Sequence, residues 1–263
     1  MSGTPRIAAR KEGAIGWLVF DNPARRNAVS LAMWQAIPGV LEDFGADAQV
    51  RVVVLAGAGD KAFVSGADIS QFESQRSAPE AVQRYEEIAE AAQLRLQRFD
   101  KPTLAMIRGY CLGAGVNIAN ACDLRIAADD ARIGIPAAKL GLGYRVSSTK
   151  NLVDVAGAAS AREMLLTGRQ YGAAEAKQMR LLHHVVPATE LESFTRNLCE
   201  TLAGNAPLTM RTAKRIIREL LESPKDFDLA QAKNWVRECF DSADYAEGRK
   251  AFMEKRKPLF TGR

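Results

Sequence analysis

Short apolar runs and longer segments with helical spacing take turns along the first two thirds of the chain. "AIGWLVFDNP" (14–23) reads as a strand that stops at a turn containing Pro23. "SLAMWQAIPGVLEDF" (30–44) has apolar residues at helical spacing behind a Ser30 cap. Pro38 lies inside that helix and removes one backbone hydrogen bond, which predicts a kink or a break. "VRVVVLAGAG" (50–59) is β-branched and ends in small residues, the pattern of a buried parallel strand. A long helix is expected over 79–99 with Pro79 in its first turn, then a buried strand over 101–110. "GAGVNIANACD" (113–123) opens another helix, and "LRIAAD" (124–129) returns to strand.

This alternation runs to about residue 186 and predicts an α/β layer of parallel strands with crossover helices. Beyond Pro187 the strand signal stops, and four helical segments follow one another. The expected organisation is a core over 1–187 and a C-terminal helical region over 188–263. No repeat or low-complexity tract is present.

Composition narrows the possibilities. With 263 residues, 47% of them hydrophobic, the chain can build one large domain or one domain with a smaller appendage. It has no run of 18 apolar residues and no apolar segment behind its N-terminal basic residues, so a cytoplasmic protein without a membrane span is expected. Cys111, Cys122, Cys199 and Cys239 are scattered, which predicts free thiols and neither disulfides nor a zinc site. The net charge of +5 suits an anionic ligand, but no arginine-rich run with interleaved aromatics supports nucleic acid.

Chemistry is expected at three small-residue turns, over 57–69, 109–117 and 141–144. Small residues let backbone N–H groups approach a ligand, and a helix start adds partial positive charge. Two such turns could aim two donors at one oxyanion; alternatively, the glycines simply end strands. GxxxxGK[ST] and GxGxxG are absent from these turns, so nucleotide binding has little support. Ser65 has no GxSxG context and no nearby histidine, which argues against a serine hydrolase.

"NPARRNAVS" (22–30), "FVSGADI" (63–69), "GYCLGAGVNIANACDLRIAADDARIGIPAAKLGL" (109–142) and "DYAEGRKAFMEKRKPLF" (244–260) together resemble the enoyl-CoA hydratase/isomerase, or crotonase, superfamily. The likeness extends from about residue 6 to the C-terminus. It implies an α/β spiral of ββα units with a C-terminal helical subdomain that serves trimerisation, and trimers that can pair into hexamers. It also implies an acyl-CoA thioester as substrate, with coenzyme A entering as part of that substrate and no separate cofactor. By motif, the oxyanion donors are the backbone N–H groups of Ala67 and Ala114. Ala24, Arg25 and Arg26 would line the nucleotide end of CoA, and Phe252 and Lys255 would reach the adenine and phosphates.

The chain departs from the hydratase pattern at two positions. The glutamate of "GGGCE" falls on Asn117 and that of "QPE" falls on Ala137. An amide neither gives nor takes a proton at neutral pH, and a methyl group does neither. Ordinary hydration is therefore expected to be impaired. Tyr144 follows on the turn that should face the acyl group, and the family's methylmalonyl-CoA decarboxylases carry a tyrosine at that offset. Those decarboxylases also carry a histidine where this chain has Ala67. Arg145 could pair with a substrate carboxylate or lie exposed. Glu73 and Glu86 are candidates for a displaced carboxylate. Asp68 and Asp123 read as structural, and His183 and His184 as surface or strand-edge residues. The competing readings are an enolate-forming acyl-CoA enzyme and a catalytically silent acyl-CoA binder.

Overall fold

The computed structural model describes residues 4–68, 79–222 and 225–263. Its main sheet has six strands in the order β1 (Arg6–Glu12), β2 (Ile15–Asp21), β3 (Val52–Gly57), β5 (Thr103–Ile107), β7 (Leu124–Ala128), β10 (His184–Val186). β1 and β2 form an antiparallel hairpin, and every later pairing in this sheet is parallel. β1 was not anticipated: "RIAARKE" is mostly polar and lies at the sheet edge, where burial imposes little pattern.

A second sheet stacks β4 (Ala62–Val64), β6 (Tyr110–Leu112), β8 (Arg132–Gly134) and β9 (Gln170–Gly172) in that order. Thus β3, β5 and β7 of the main sheet are each followed by one short strand of the second, β4, β6 and β8. Helices α2 (Pro79–Gln97), α3 (Ala114–Ala121) and α4 (Val146–Thr167) close the successive ββα turns. The spiral arises because β5 and β6 are separate strands in different sheets, where the sequence suggested one strand over 101–110.

Burial alternates along the main strands. Leu18, Phe20, Val53, Leu55, Ala105 and Ile107 pack on the side of α1 (Leu31–Ala46), among Trp34, Ile37, Leu41 and Phe44. Trp17, Val52, Val54, Leu104 and Ile126 face the other way and meet Leu191 and Cys199 of α6 (Leu191–Ala203). Between β9 and β10 lies the short α5 (Ala173–Gln178). Ser30 caps α1 by accepting from Met33 N–H at 3.3 Å. The helix continues through Pro38, where a kink or a break was expected, so the break does not occur; Ile37 and Leu41 on either side are fully buried. That packing outweighs the lost hydrogen bond.

From Leu191 onward the described residues form helices: α6, then α7 (Pro207–Glu222), α8 (Leu229–Phe240) and α9 (Ala243–Met253). Lys214 of α7 ties this region to the sheet by donating to Asp123 at 2.6 Å and to the Lys101 carbonyl at 2.7 Å. Asp123 also accepts from the backbone N–H and hydroxyl of Thr103. Its role is structural. Among the described residues no helix is long and apolar enough to cross a membrane.

Candidate active site

Two turns carry the candidate oxyanion donors, and the spiral sets them side by side. The first follows β4. Val29 N–H donates to the Gly66 carbonyl at 2.9 Å, and Asp68 N–H donates to the Val29 carbonyl at 3.0 Å. This bridge brackets Ala67, whose own N–H has no acceptor among the described residues. The second turn follows β6. Ala114 is the first residue of α3, where a backbone N–H has no intrahelical partner. A methyl group added to Gly113 would lie 3.9 Å from Cα of Gly66, so the turns are in contact. Gly66 and Gly113 have φ of +130° and +52°, conformations open to glycine at little cost.

Gly115 holds this contact for a different reason. A Cβ there would sit 2.2 Å from the Val64 carbonyl oxygen, so only glycine lets α3 begin against the end of β4. The segment 22–30 is the clamp behind the first turn. Asn27 donates to the carbonyls of Ala58 and Ala62 at 2.9 and 2.7 Å and accepts from Asn22 N–H at 3.1 Å. Asn22 in turn donates to the Ala28 carbonyl at 2.9 Å. Sequence reasoning read the arginines of this motif and missed its two asparagines, although Asn22 directly before Pro23 is a turn signal.

The remaining site residues separate into those brought together and those that stay apart. Asn117 lies one turn into α3 and is only 5% exposed. Tyr144 comes from the turn between the 3-10 helix Pro136–Leu140 and α4, and its hydroxyl donates to Asn117 Oδ1. Burial pushes the Tyr144 phenol well above its ordinary pKa, against the opposing charge of Arg145, so it stays protonated at neutral pH. It is a donor and not a base. Ala137 is buried in the 3-10 helix, where its carbonyl accepts from Leu142 N–H at 3.0 Å. Arg145 is not left exposed: its Nε lies 3.1 Å from a carboxylate oxygen of Glu86 on α2. Glu73 falls outside the described residues.

Of the residues expected at CoA, the two arginines are already engaged within the chain. Arg25 pairs with the buried Asp68 at 3.0 Å, which anchors the first turn from outside. Arg26, at φ +51°, places its guanidinium 4.8 Å from the centre of the Tyr110 ring. Ala24 precedes them in the 3-10 turn Pro23–Arg25. Phe252 is 83% exposed on α9 and borders an apolar cavity of about 550 Å³ with Phe240, Tyr245 and Phe260. Lys255, exposed at φ +54°, follows that helix. His183 accepts from Arg125 N–H at 3.2 Å, and burial with the neighbouring Arg125 charge lowers its pKa to about 4. His184 lies on edge strand β10. The four cysteines are free.

The family model for enoyl-CoA hydratase/isomerase matches residues 10–263. The chain belongs to that family. It is 30% identical over 251 residues to the short-chain-enoyl-CoA hydratase of Clostridium acetobutylicum, covering 95% of each chain. It is 31% identical over 245 residues to the 2,3-dehydroadipyl-CoA hydratase of Escherichia coli, covering 93% of this chain and 94% of that one. The crystal structure of an enoyl-CoA hydratase/carnithine racemase from Magnetospirillum magneticum superposes with a TM-score of 0.94 at 35% identity, covering 98% of this chain and 96% of that one. The crotonase-type spiral expected from the motifs is therefore the fold of this family member.

Proposed function

We propose that the protein is an acyl-CoA thioester enzyme that stabilises a thioester enolate between the backbone N–H groups of Ala67 and Ala114. Decarboxylation of a malonyl-type thioester, or another reaction that needs little base, suits it better than ordinary hydration. The observation that carries this reading is the Tyr144–Asn117 hydrogen bond beside two amides without acceptors. Hydration of an enoyl thioester needs groups that remove and return a proton at one water. The positions the family resemblance matches to those groups hold an amide and a methyl.

Decarboxylation makes no such demand. The bond between the α-carbon and the carboxylate breaks, carbon dioxide leaves, and the electron pair moves into the thioester carbonyl. The resulting enolate oxygen would accept from the two amides. A proton from solvent water then adds to the α-carbon, and in this reading the Tyr144 phenol orients the leaving carboxylate by a hydrogen bond. CoA supplies the handle for binding and is part of the substrate.

A trimeric assembly is part of the proposal. Its support is the exposed apolar surface of α7 to α9, with Ile217, Leu220, Leu221, Leu229, Phe240 and Met253 open to solvent in the single chain. Sedimentation of the purified protein checks it.

The decisive experiment offers the protein a crotonyl, a malonyl-type and a β,γ-unsaturated CoA thioester. Turnover of the malonyl-type compound alone, lost in Tyr144→Phe, supports the proposal. Efficient hydration of the crotonyl compound overturns it. Tight binding without turnover of any of the three would identify a silent binder instead.

A further inference from the structure

Arg145 is poorly matched to a site for plain hydrocarbon chains. Its guanidinium uses Nε on Glu86, while Nη1 is buried and has no acceptor among the described residues. The side chain is 21% exposed, so it is neither sealed in the core nor solvated. Its charge reaches the Tyr144 phenol, where it opposes the upward push of burial. A buried N–H of a cation left without an acceptor is costly, and an incoming anionic oxygen would relieve it.

The surroundings point the same way. Arg145 is the N-cap of α4, and no side chain caps that helix end. The amides of the first turn, 146–148, have no backbone acceptor among the described residues; the ladder begins with Thr149 N–H to the Arg145 carbonyl at 2.9 Å. Within the next turn Asn151 is only 6% exposed, and its Nδ2 is a second buried donor without an acceptor. The Ser147 hydroxyl is likewise buried and unpaired. The first two turns of α4 therefore offer unused donors and positive potential. Across from them, Ser148 meets Gln93 of α2 at 3.5 Å, and Glu86 is the carboxylate paired with Arg145.

We infer that the acyl group accepted here carries a carboxylate, and that Arg145 is the residue that recognises it through the N–H groups not used by Glu86. The inference rests on the acyl-CoA reading above and deepens it by naming the residue that recognises the carboxylate. Glu86 orients the guanidinium and, being negative itself, weakens attraction for a second anion. The arrangement thus favours a carboxylate that meets Nη1 from the Tyr144 side over one that displaces Glu86.

The test uses three matched pairs of CoA thioesters, each differing by a terminal carboxylate in place of a methyl group: malonyl and propionyl, succinyl and butyryl, glutaryl and valeryl. Calorimetric titration of the intact protein gives the affinities. At least one carboxylate-bearing member is expected to bind on the order of tenfold tighter than its partner, as a charge-assisted contact would provide. Arg145→Gln should abolish that preference, with a native circular dichroism spectrum showing that the variant is folded. Arg145→Lys should restore part of it, and Glu86→Gln should increase it by removing the competing charge. Equal affinities within all three pairs, or a preference that survives Arg145→Gln, would overturn the inference and leave the acyl-CoA reading standing. If no member of any pair binds, both fall.

Discussion

The Tyr144 hydroxyl donates a hydrogen bond to the side-chain carbonyl of Asn117, joining the turn before α4 to the first turns of α3. Three residues before Asn117 on the same helix stands Ala114, whose N–H is one of the two proposed oxyanion donors. A phenol held protonated by burial is therefore tied to the element that presents a backbone donor.

Tyr144→Phe removes the donor and leaves Asn117 Oδ1 without it. Turnover of the accepted thioester is expected to fall on the order of 10²-fold in kcat, with KM little changed. Stability should drop by about 1 kcal/mol. Steady-state kinetics together with a thermal melt check both.

Ala114→Pro tests the oxyanion donor with little damage to the fold. Ala114 is the first residue of α3, where proline is well tolerated and no intrahelical bond is lost. The substitution deletes one N–H. Expected is a fall in kcat of roughly 10²–10³-fold with a native circular dichroism spectrum. Unchanged kcat would place the oxyanion elsewhere.

Gly115→Ala probes the contact that sets the two turns side by side. The new methyl would lie 2.2 Å from the Val64 carbonyl oxygen, and both partners are backbone, so the clash is not relieved by a rotamer change. A loss on the order of 3 kcal/mol is expected, seen as a melting temperature lower by roughly 6–12 °C.

His183 makes the fold sensitive to acid. Partial desolvation of this otherwise exposed ring, with the Arg125 charge second and His184 after it, lowers its pKa from 6.5 to about 4 in the folded chain. Between those values the unfolded chain binds more protons, so stability rises with pH there. Stability contributed by the neutral ring is complete above pH 6.5 and is lost as pH falls toward 4. His183→Gln should flatten the melting temperature against pH over this window relative to wild type.

Much of the spiral was legible because buried strands read as short continuous apolar runs. The runs at 15–21 and 52–57 are buried on both faces, as strands between helices must be, and 124–128 is apolar apart from the buried Arg125. The edge strand β1 carries no such pattern, and the sequence did not reveal it. At the site, the glycine turns were readable because backbone geometry demands small residues at fixed places. The clamp by Asn22 and Asn27 was not, since a turn signal does not say which carbonyls an amide will reach.

Chain chemistry alone settled that residues 117 and 137 hold an amide and a methyl, that Tyr144 and Arg145 follow them, and that two small-residue turns precede helices or loops. These properties are local, and a one-dimensional pattern is enough to read them. Packing decided the rest. Arg145 meets Glu86 from a separate helix, Arg25 meets Asp68, and the Gly66 and Gly113 turns touch, because the ββα spiral stacks successive units. Each meeting depends on how two distant elements pack, and no local periodicity encodes that.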